Sequence, residues 1–215
     1  RLDRVCLPPY PKEAYPHYGY HLSATTIARW KPWEMIPENE YTTALNREAL
    51  YNIMQFNKIA PPGLGYELGV YTGGVSRMLQ DAGRKMVCFD TFNGIQGSDE
   101  GDHLKDGEFC AKLPDVVKEY IAPAEIVEGD VMETLKGRTE MVAFAHLDMD
   151  VRAPTEFALR NIWPRLKNGG VIVCDDYGVW CTQGIKQAVD EAGLPNCNQI
   201  YLPTGQMVLI KCREK

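Results

Sequence analysis

The sequence predicts an α/β fold: a doubly wound, seven-stranded sheet, mostly parallel, with a C-terminal antiparallel hairpin. Three observations predict it. After Pro61-Pro62-Gly63, short runs rich in Val, Ile, Phe and Leu alternate with stretches of helical period. The segments between successive β-rich runs are long enough for crossovers, which makes parallel pairing the expectation. The last two runs are separated only by Pro203-Thr204-Gly205, which favours a tight antiparallel turn.

Taken in order, Thr43 to Ala60 carries Leu45, Leu50, Ile53, Met54 and Phe56 mostly at helical spacing and reads as one amphipathic helix. Strands are expected at Gly65 to Val70, Met86 to Asp90, Ala124 to Glu128, Met141 to Asp148 and Val171 to Asp175. Helices are expected at Gly74 to Ala82, Pro114 to Tyr120, Met132 to Leu135, Pro154 to Leu166 and Gln183 to Ala192. Pro154 suits the first turn of its helix and Gly169-Gly170 its far end. Asn198 to Leu202 and Gln206 to Lys211 complete the sheet as the hairpin. Residues 1–41 hold six prolines and many aromatics, a mix that packs on a neighbour without making its own core. They read as an N-terminal arm, with a helical piece around Ala24 to Trp30, beside a single domain over 42–215. Such an arm points to a homo-oligomer, a dimer or higher.

Composition narrows the classes. With 215 residues, 45% hydrophobic and 24% charged, the chain sits at the globular average. A formal charge of -6 gives no general attraction to nucleic acid or to an anionic membrane surface, and no apolar run approaches the roughly 20 residues of a membrane span. Seven cysteines without a C-x-x-C pair provide neither zinc-ribbon nor redox-dithiol spacing, so reduced thiols in a cytoplasmic protein are expected.

Ligands of doubly wound sheets bind beyond the carboxyl ends of the strands. The first such end is Glu67-Leu-Gly-Val-Tyr-Thr-Gly-Gly74. It lacks the Gly-Lys-Ser/Thr of a phosphate loop, and Tyr71 stands where a dinucleotide loop needs its second glycine, which disfavours nucleoside triphosphates and NAD. Gly69 permits close approach of a ligand to the backbone. Asp90, ending the next strand, has the sequence spacing of an acid that accepts from ribose hydroxyls. Glu67 could hold an amino or cationic group and Asp130 could accept from an adenine amino group. S-adenosylmethionine, with an ammonium and a sulfonium but no phosphate, suits these acids.

The densest signal is His146-Leu-Asp-Met-Asp150 with Cys174-Asp-Asp-Tyr177 at the ends of neighbouring strands. Like charges about 4 Å apart repel by about 4 kcal/mol at an effective dielectric of 20, so such a cluster needs proton uptake or a cation. Carboxylates without a thiolate partner favour Mg²⁺, or Mn²⁺ or Ca²⁺, over zinc. Asp150, close before Pro154, fits a helix cap better than Asp148 does.

These segments, together with Phe89-Asp-Thr-Phe-Asn-Gly94, Trp163-Pro-Arg-Leu-Lys-Asn-Gly-Gly170 and Pro203-Thr-Gly-Gln206, resemble the macrocin O-methyltransferase family over about residues 43–212. The resemblance implies a Rossmann-like methyltransferase fold and transfer of a methyl group from S-adenosylmethionine to a hydroxyl of a small molecule, a sugar or natural-product glycoside, assisted by Mg²⁺. It implies cofactor contacts at Glu67, Gly69, Asp90 and Asp130, and metal ligands at Asp148, Asp175 and Asp176. Catechol-type acceptors, or a non-catalytic cofactor-binding protein, are the alternatives. The family's C-terminal catalytic histidine has no counterpart here, because the histidines are His17, His21, His103 and His146. His103, in a glycine-rich charged loop at 97–108 that resembles the family's lid, is therefore the first candidate for the base, with Asp148 the catalytic candidate among the carboxylates. His146 shares a strand face with Asp148 and reads as a core or supporting residue. Val151-Arg152 departs from the aromatic common at that point in the family.

Overall fold

The computed structural model describes residues 34, 36, 41–100, 102–110 and 114–213. The predicted helical piece at Ala24 to Trp30, and His17 and His21 with it, lie outside the described residues. Of residues 1–41, Ile36 is buried in the same apolar cluster as Leu50, Ile53 and Phe56, and the Glu34 carbonyl accepts from Arg47 Nη2 at 2.8 Å.

Helix α1 (Arg47–Ile59) starts four residues later than its apolar period suggests, because Asn46 caps it: Oδ1 accepts from Ala49 N at 2.8 Å. Pro61-Pro62 follows its end. The sheet then runs β1 (Leu64–Leu68), β2 (Lys85–Asp90), β3 (Glu125–Glu128), β4 (Val142–Leu147), β5 (Leu166–Cys174), β6 (Cys197–Tyr201) and β7 (Met207–Lys211). Between them lie α2 (Gly74–Asp81), α3 (Pro114–Tyr120), α4 (Val131–Thr134), α5 (Arg152–Ile162) and α6 (Gln183–Glu191). The spatial order is β3-β2-β1-β4-β5-β7-β6, with only the β7 pairings antiparallel. The fold is the one the sequence predicts. Two clusters of buried side chains, one on each face, form the core, and β4 is buried along its whole length.

One boundary differs. Gly169-Gly170 do not close α5. The helix ends at Ile162, passes through a 3-10 turn at Trp163–Arg165, and the glycines lie inside β5, whose register against β4 shifts between Val142 and Phe144. Pro164 explains this: it has no N–H to give back to the helix.

Strand order reverses between β1 and β4, which open a crevice at their carboxyl ends. Backbone bonds extend the sheet into that edge, from Gly69 N to Phe89 O at 3.0 Å, Asp148 N to Leu68 O at 2.9 Å and Asp175 N to Leu147 O at 2.9 Å. Among the described residues no helix is long and apolar enough to cross a membrane, and all the cysteines are free thiols. Burial pushes the Cys88 and Cys174 thiols well above their ordinary range, which makes them inert packing groups.

Candidate active site

A cavity of about 250 Å³ lies at this edge. Gly69 and Tyr71 from the turn after β1 and Asp90 and Thr91 from the end of β2 line one side. Gly129 and Val131 flank the start of α4, while Asp148, Asp150 and Asp176 form the acidic wall. Ala44 and Leu45, just ahead of α1, and Phe109, whose ring meets Tyr71 edge-on at 5.8 Å, close over it. No basic side chain lines it among the described residues.

The glycine turn is built around Asp90. One carboxylate oxygen accepts from Val70 N at 2.6 Å and Tyr71 N at 2.9 Å, and the other from Phe92 N at 2.6 Å. Asp90 therefore holds the loop in shape while facing the cavity. Tyr71, at φ 49, takes the left-handed conformation where another nucleotide loop would carry glycine.

Two of the expected cofactor contacts, Glu67 and Asp130, are not among the residues that line the cavity. Glu67 is buried, accepts a hydrogen bond from Ser76 Oγ on α2, and does not line the cavity. As an inward-facing residue of β1, paired in register with His146, it serves the sheet interior. Asp130 caps α4, its Oδ1 accepting from Met132 N at 2.8 Å, and only its neighbours Gly129 and Val131 reach the cavity.

The acids divide into two groups joined by Asp148. Asp148, Asp150 and Asp176 can each present a carboxylate oxygen within 4.8 Å of the others, and so can His146, Asp148 and Asp175. Only the first trio lines the cavity as a whole. Asp176 enters it because its φ of 60 breaks strand alternation after Asp175. Asp150, which suits a helix cap better than Asp148 by sequence, has φ 64 and joins the acids, while Val151 takes the cap position of α5 without a side-chain bond. The alternation of His146, Asp148 and Asp150 was the available signal for this.

Burial, reinforced by the neighbouring acids, drives these carboxyls upward. Asp148 lies well above the usual carboxylate range through burial and then the Asp175 charge. Burial also raises Asp150 and, followed by the Asp150 charge, Asp176. Burial would lower His146, yet its contacts with Asp175 and Glu67 prevail and raise it well above its ordinary value.

His103 is exposed, with its ring 5.6 Å from that of Trp180, and it does not line the cavity. Its loop is closed by its own bonds: Ile95 N to Glu108 O at 2.8 Å, Ser98 N to Asp106 Oδ1 at 2.9 Å and Lys105 Nζ to Asp102 O at 2.5 Å. Asp102 is buried beside Gly184, near the start of α6. Arg152 is tied to α6 through Gln187 at 2.9 Å and Glu191 at 2.7 Å.

The reversed terminal hairpin and the crevice at the β1–β4 switch define a methyltransferase fold. Residues 64–177, more than half of the chain, match the family model described as a methyltransferase domain, and the chain belongs to that family. It is 29% identical over 143 residues to an 8-demethyl-8-(2,3-dimethoxy-alpha-L-rhamnosyl)-tetracenomycin-C 4'-O-methyltransferase of Streptomyces olivaceus. That match covers 55% of this chain and 54% of the relative, so the chain spans about half the length of the curated relative it matches. The O-methyltransferase NovP shares the fold at TM-score 0.68 and 22% identity, covering 80% of this chain and 82% of that one. CalS11, a calicheamicin methyltransferase, does so at TM-score 0.65 and 21% identity, covering 88% and 94%. The Podospora anserina methyltransferase PaMTH1, in SAH-bound form, does so at TM-score 0.56 and 16% identity, covering 85% and 86%.

Proposed function

We propose that this chain is an S-adenosylmethionine-dependent O-methyltransferase acting on a hydroxyl of a small molecule, a sugar or natural-product glycoside. The observation that carries the reading is one cavity shared by a cofactor-type glycine turn, Gly69 with Asp90, and an acidic wall, Asp148, Asp150 and Asp176. The relative named for a rhamnosyl 4'-O-methylation supports the choice of acceptor class.

The cavity's charge suits a cationic cofactor without phosphate. Gly69 lets the ligand approach the backbone, and Asp90 presents its carboxylate at the end of β2 for ribose hydroxyls. Asp148, Asp150 and Asp176 fit a hard divalent ion such as Mg²⁺, being carboxylates that gather within 4.8 Å of one another. The chemistry an ion supplies there is acidification of an acceptor hydroxyl, which would otherwise ionise near the 15.7 of water. Asp150 is the residue we assign to take the proton, because its carboxyl lines the cavity beside Asp148 and Asp176. The acceptor oxygen forms its bond to the methyl carbon as the carbon–sulfur bond breaks, leaving the electron pair on sulfur as a neutral thioether. Tyr71, Phe109 and Leu45 exclude water, so alignment supplies most of the rate.

The test is methyl transfer from labelled S-adenosylmethionine to panels of glycosides and catechols, with and without chelator. Glycoside methylation that chelator abolishes and Mg²⁺ restores is expected. Full activity in metal-free protein, or methylation of catechols alone, would overturn the corresponding part of the reading.

A further inference from the structure

Trp180 is 75% exposed, more than any other large apolar side chain among the described residues. Its backbone is fixed all the same. The loop that carries it, after β5, closes back on Asp176, whose carbonyl accepts from Val179 N at 3.1 Å and from Thr182 Oγ1 at 2.8 Å. Gly178 N donates to Gly205 O at 2.8 Å, and the Trp180 carbonyl accepts from Gln183 Nε2 at 3.3 Å. Burying an indole gains free energy, so a loop tied in this way that still holds one in water favours a partner from outside the chain.

We propose that Trp180 is a positioning residue for the acceptor: the C–H face of a pyranose ring stacks on the indole, and one hydroxyl of that ring is thereby presented to the acids. The inference rests on the O-methyltransferase reading given above. Size puts the acceptor here. Pockets that enclose a drug-sized molecule measure roughly 300 to 1,000 Å³, and a cavity of about 250 Å³ does not hold a nucleoside cofactor and a glycoside together. The acceptor therefore extends past the acidic wall, and Trp180 follows Asp176 of that wall by one turn of chain. The loop whose ends line the cavity at Gly94, Ile95, Gln96 and Phe109 brings His103 against the indole, 5.6 Å between ring centroids, so Trp180 borders the same entrance. Neighbouring aromatics are engaged within the chain. Tyr177 carries Lys186 over its ring at 4.9 Å and donates to Asp190 at 2.8 Å, while Tyr71 and Phe109 meet each other edge-on. Sugar C–H groups carry partial positive charge and an aromatic face is electron-rich, so the two attract while the sugar hydroxyls stay free for the acids and for water.

Steady-state methyl transfer from labelled S-adenosylmethionine to the methyl glycosides of rhamnose, glucose and xylose tests this, because none of them has an aromatic aglycone to stack in place of the sugar. Trp180→Ala should raise KM for the glycoside at least tenfold, on the order of a lost aromatic anchor, and change kcat less than about threefold. Trp180→Phe, which keeps a ring, should recover most of that loss, and Trp180→Leu, which keeps only apolar bulk, should not. S-adenosylmethionine affinity, measured by calorimetry, should stay within about twofold in each variant, since the indole lies outside the cofactor turn. An unchanged KM in Trp180→Ala, a loss confined to kcat, a weakened cofactor, or equal rescue by Leu and Phe overturns the inference and leaves the methyltransferase reading standing. So does a changed sedimentation state in Trp180→Ala with KM unaltered, which would make the indole a contact between copies of the chain. A wild-type chain that methylates none of the glycosides overturns both.

Discussion

Gly69 lies so close to Asp148 that a Cβ on the glycine would sit 1.8 Å from the Asp148 carbonyl oxygen. The turn that would receive the cofactor and the acidic wall are therefore in backbone contact. Gly69 also has φ 86, so Gly69→Ala adds left-handed strain to the clash. We expect a loss of about 3 kcal/mol or more, combining strain and overpacking. Denaturant unfolding measures it, and a loss under about 1 kcal/mol would show that the two loops separate freely.

Asp90 both shapes the turn and faces the cavity, so Asp90→Asn should show two effects. Three backbone N–H groups lose a charged acceptor, each such bond being worth about 1.5 to 3 kcal/mol, partly retained by the amide oxygen. Stability should fall by about 1 to 3 kcal/mol. Calorimetry should show S-adenosylmethionine binding at least tenfold weaker. Unchanged affinity would confine Asp90 to the turn.

The acid cluster makes stability depend on pH in a definite sense. Burial and the Asp150 charge push Asp176 up to about 8, so the folded chain binds more protons than the unfolded chain between about pH 4 and about 8. Metal-free stability should therefore decline as pH rises through that window. An ion held by these acids, as proposed, would replace the protons, so Mg²⁺ should raise the melting temperature more at pH 8 than at pH 5.5. An equal rise at both pH values would contradict ligation by these carboxyls.

Turnover should separate the two candidates for the base. His103 is exposed against Trp180, so His103→Ala should lower kcat less than tenfold. Asp150→Asn removes a carboxylate from the cavity and should lower kcat a hundredfold or more, within the range of general base loss. The reverse order in steady-state kinetics would return the role to His103.

The loop from 97 to 108 is pinned where Asp102 meets Gly184. A Cβ on Gly184 would lie 2.5 Å from Asp102 Oδ1 and 2.9 Å from Arg152 Cβ. Gly184→Ala should dislodge Asp102 and speed hydrogen exchange across the loop at least tenfold, with little change in β1 or β4. Unchanged exchange would mean that the loop's internal bonds suffice to hold it.

Periodicity made the sheet and most helices legible, because β1, β2, β4 and β5 carry apolar residues buried by helices on both faces. Where a proline intervened the reading slipped, as at Pro164, whose missing N–H ended α5 early and left Gly169-Gly170 to the strand. Residue types found the acids but not their partition. Whether Asp150 caps α5 or enters the cavity depends on a single left-handed residue, and whether Asp175 or Asp176 faces the cavity depends on another. The surroundings of Glu67 were hidden for a related reason: strand alternation assigns it a face, but only the neighbouring β4 shows that His146 lies opposite. Asp130 took the helix-capping role common for Asp between a strand and a helix.

Because β7 runs against its neighbours, the turn at Pro203–Gln206 emerges at the same edge as the acids. Gly205 O there accepts from Gly178 N at 2.8 Å, two residues beyond Asp176. Gln206 Oε1 accepts from Asn52 on α1 at 3.2 Å, and the start of α1 adjoins cavity residues Ala44 and Leu45. A single tight turn thus buttresses the acidic wall and the helix leading to the roof at once. For engineering altered acceptor preference, this turn is a remote handle: substitutions in it can retune the spacing across the cavity while every acid stays in place.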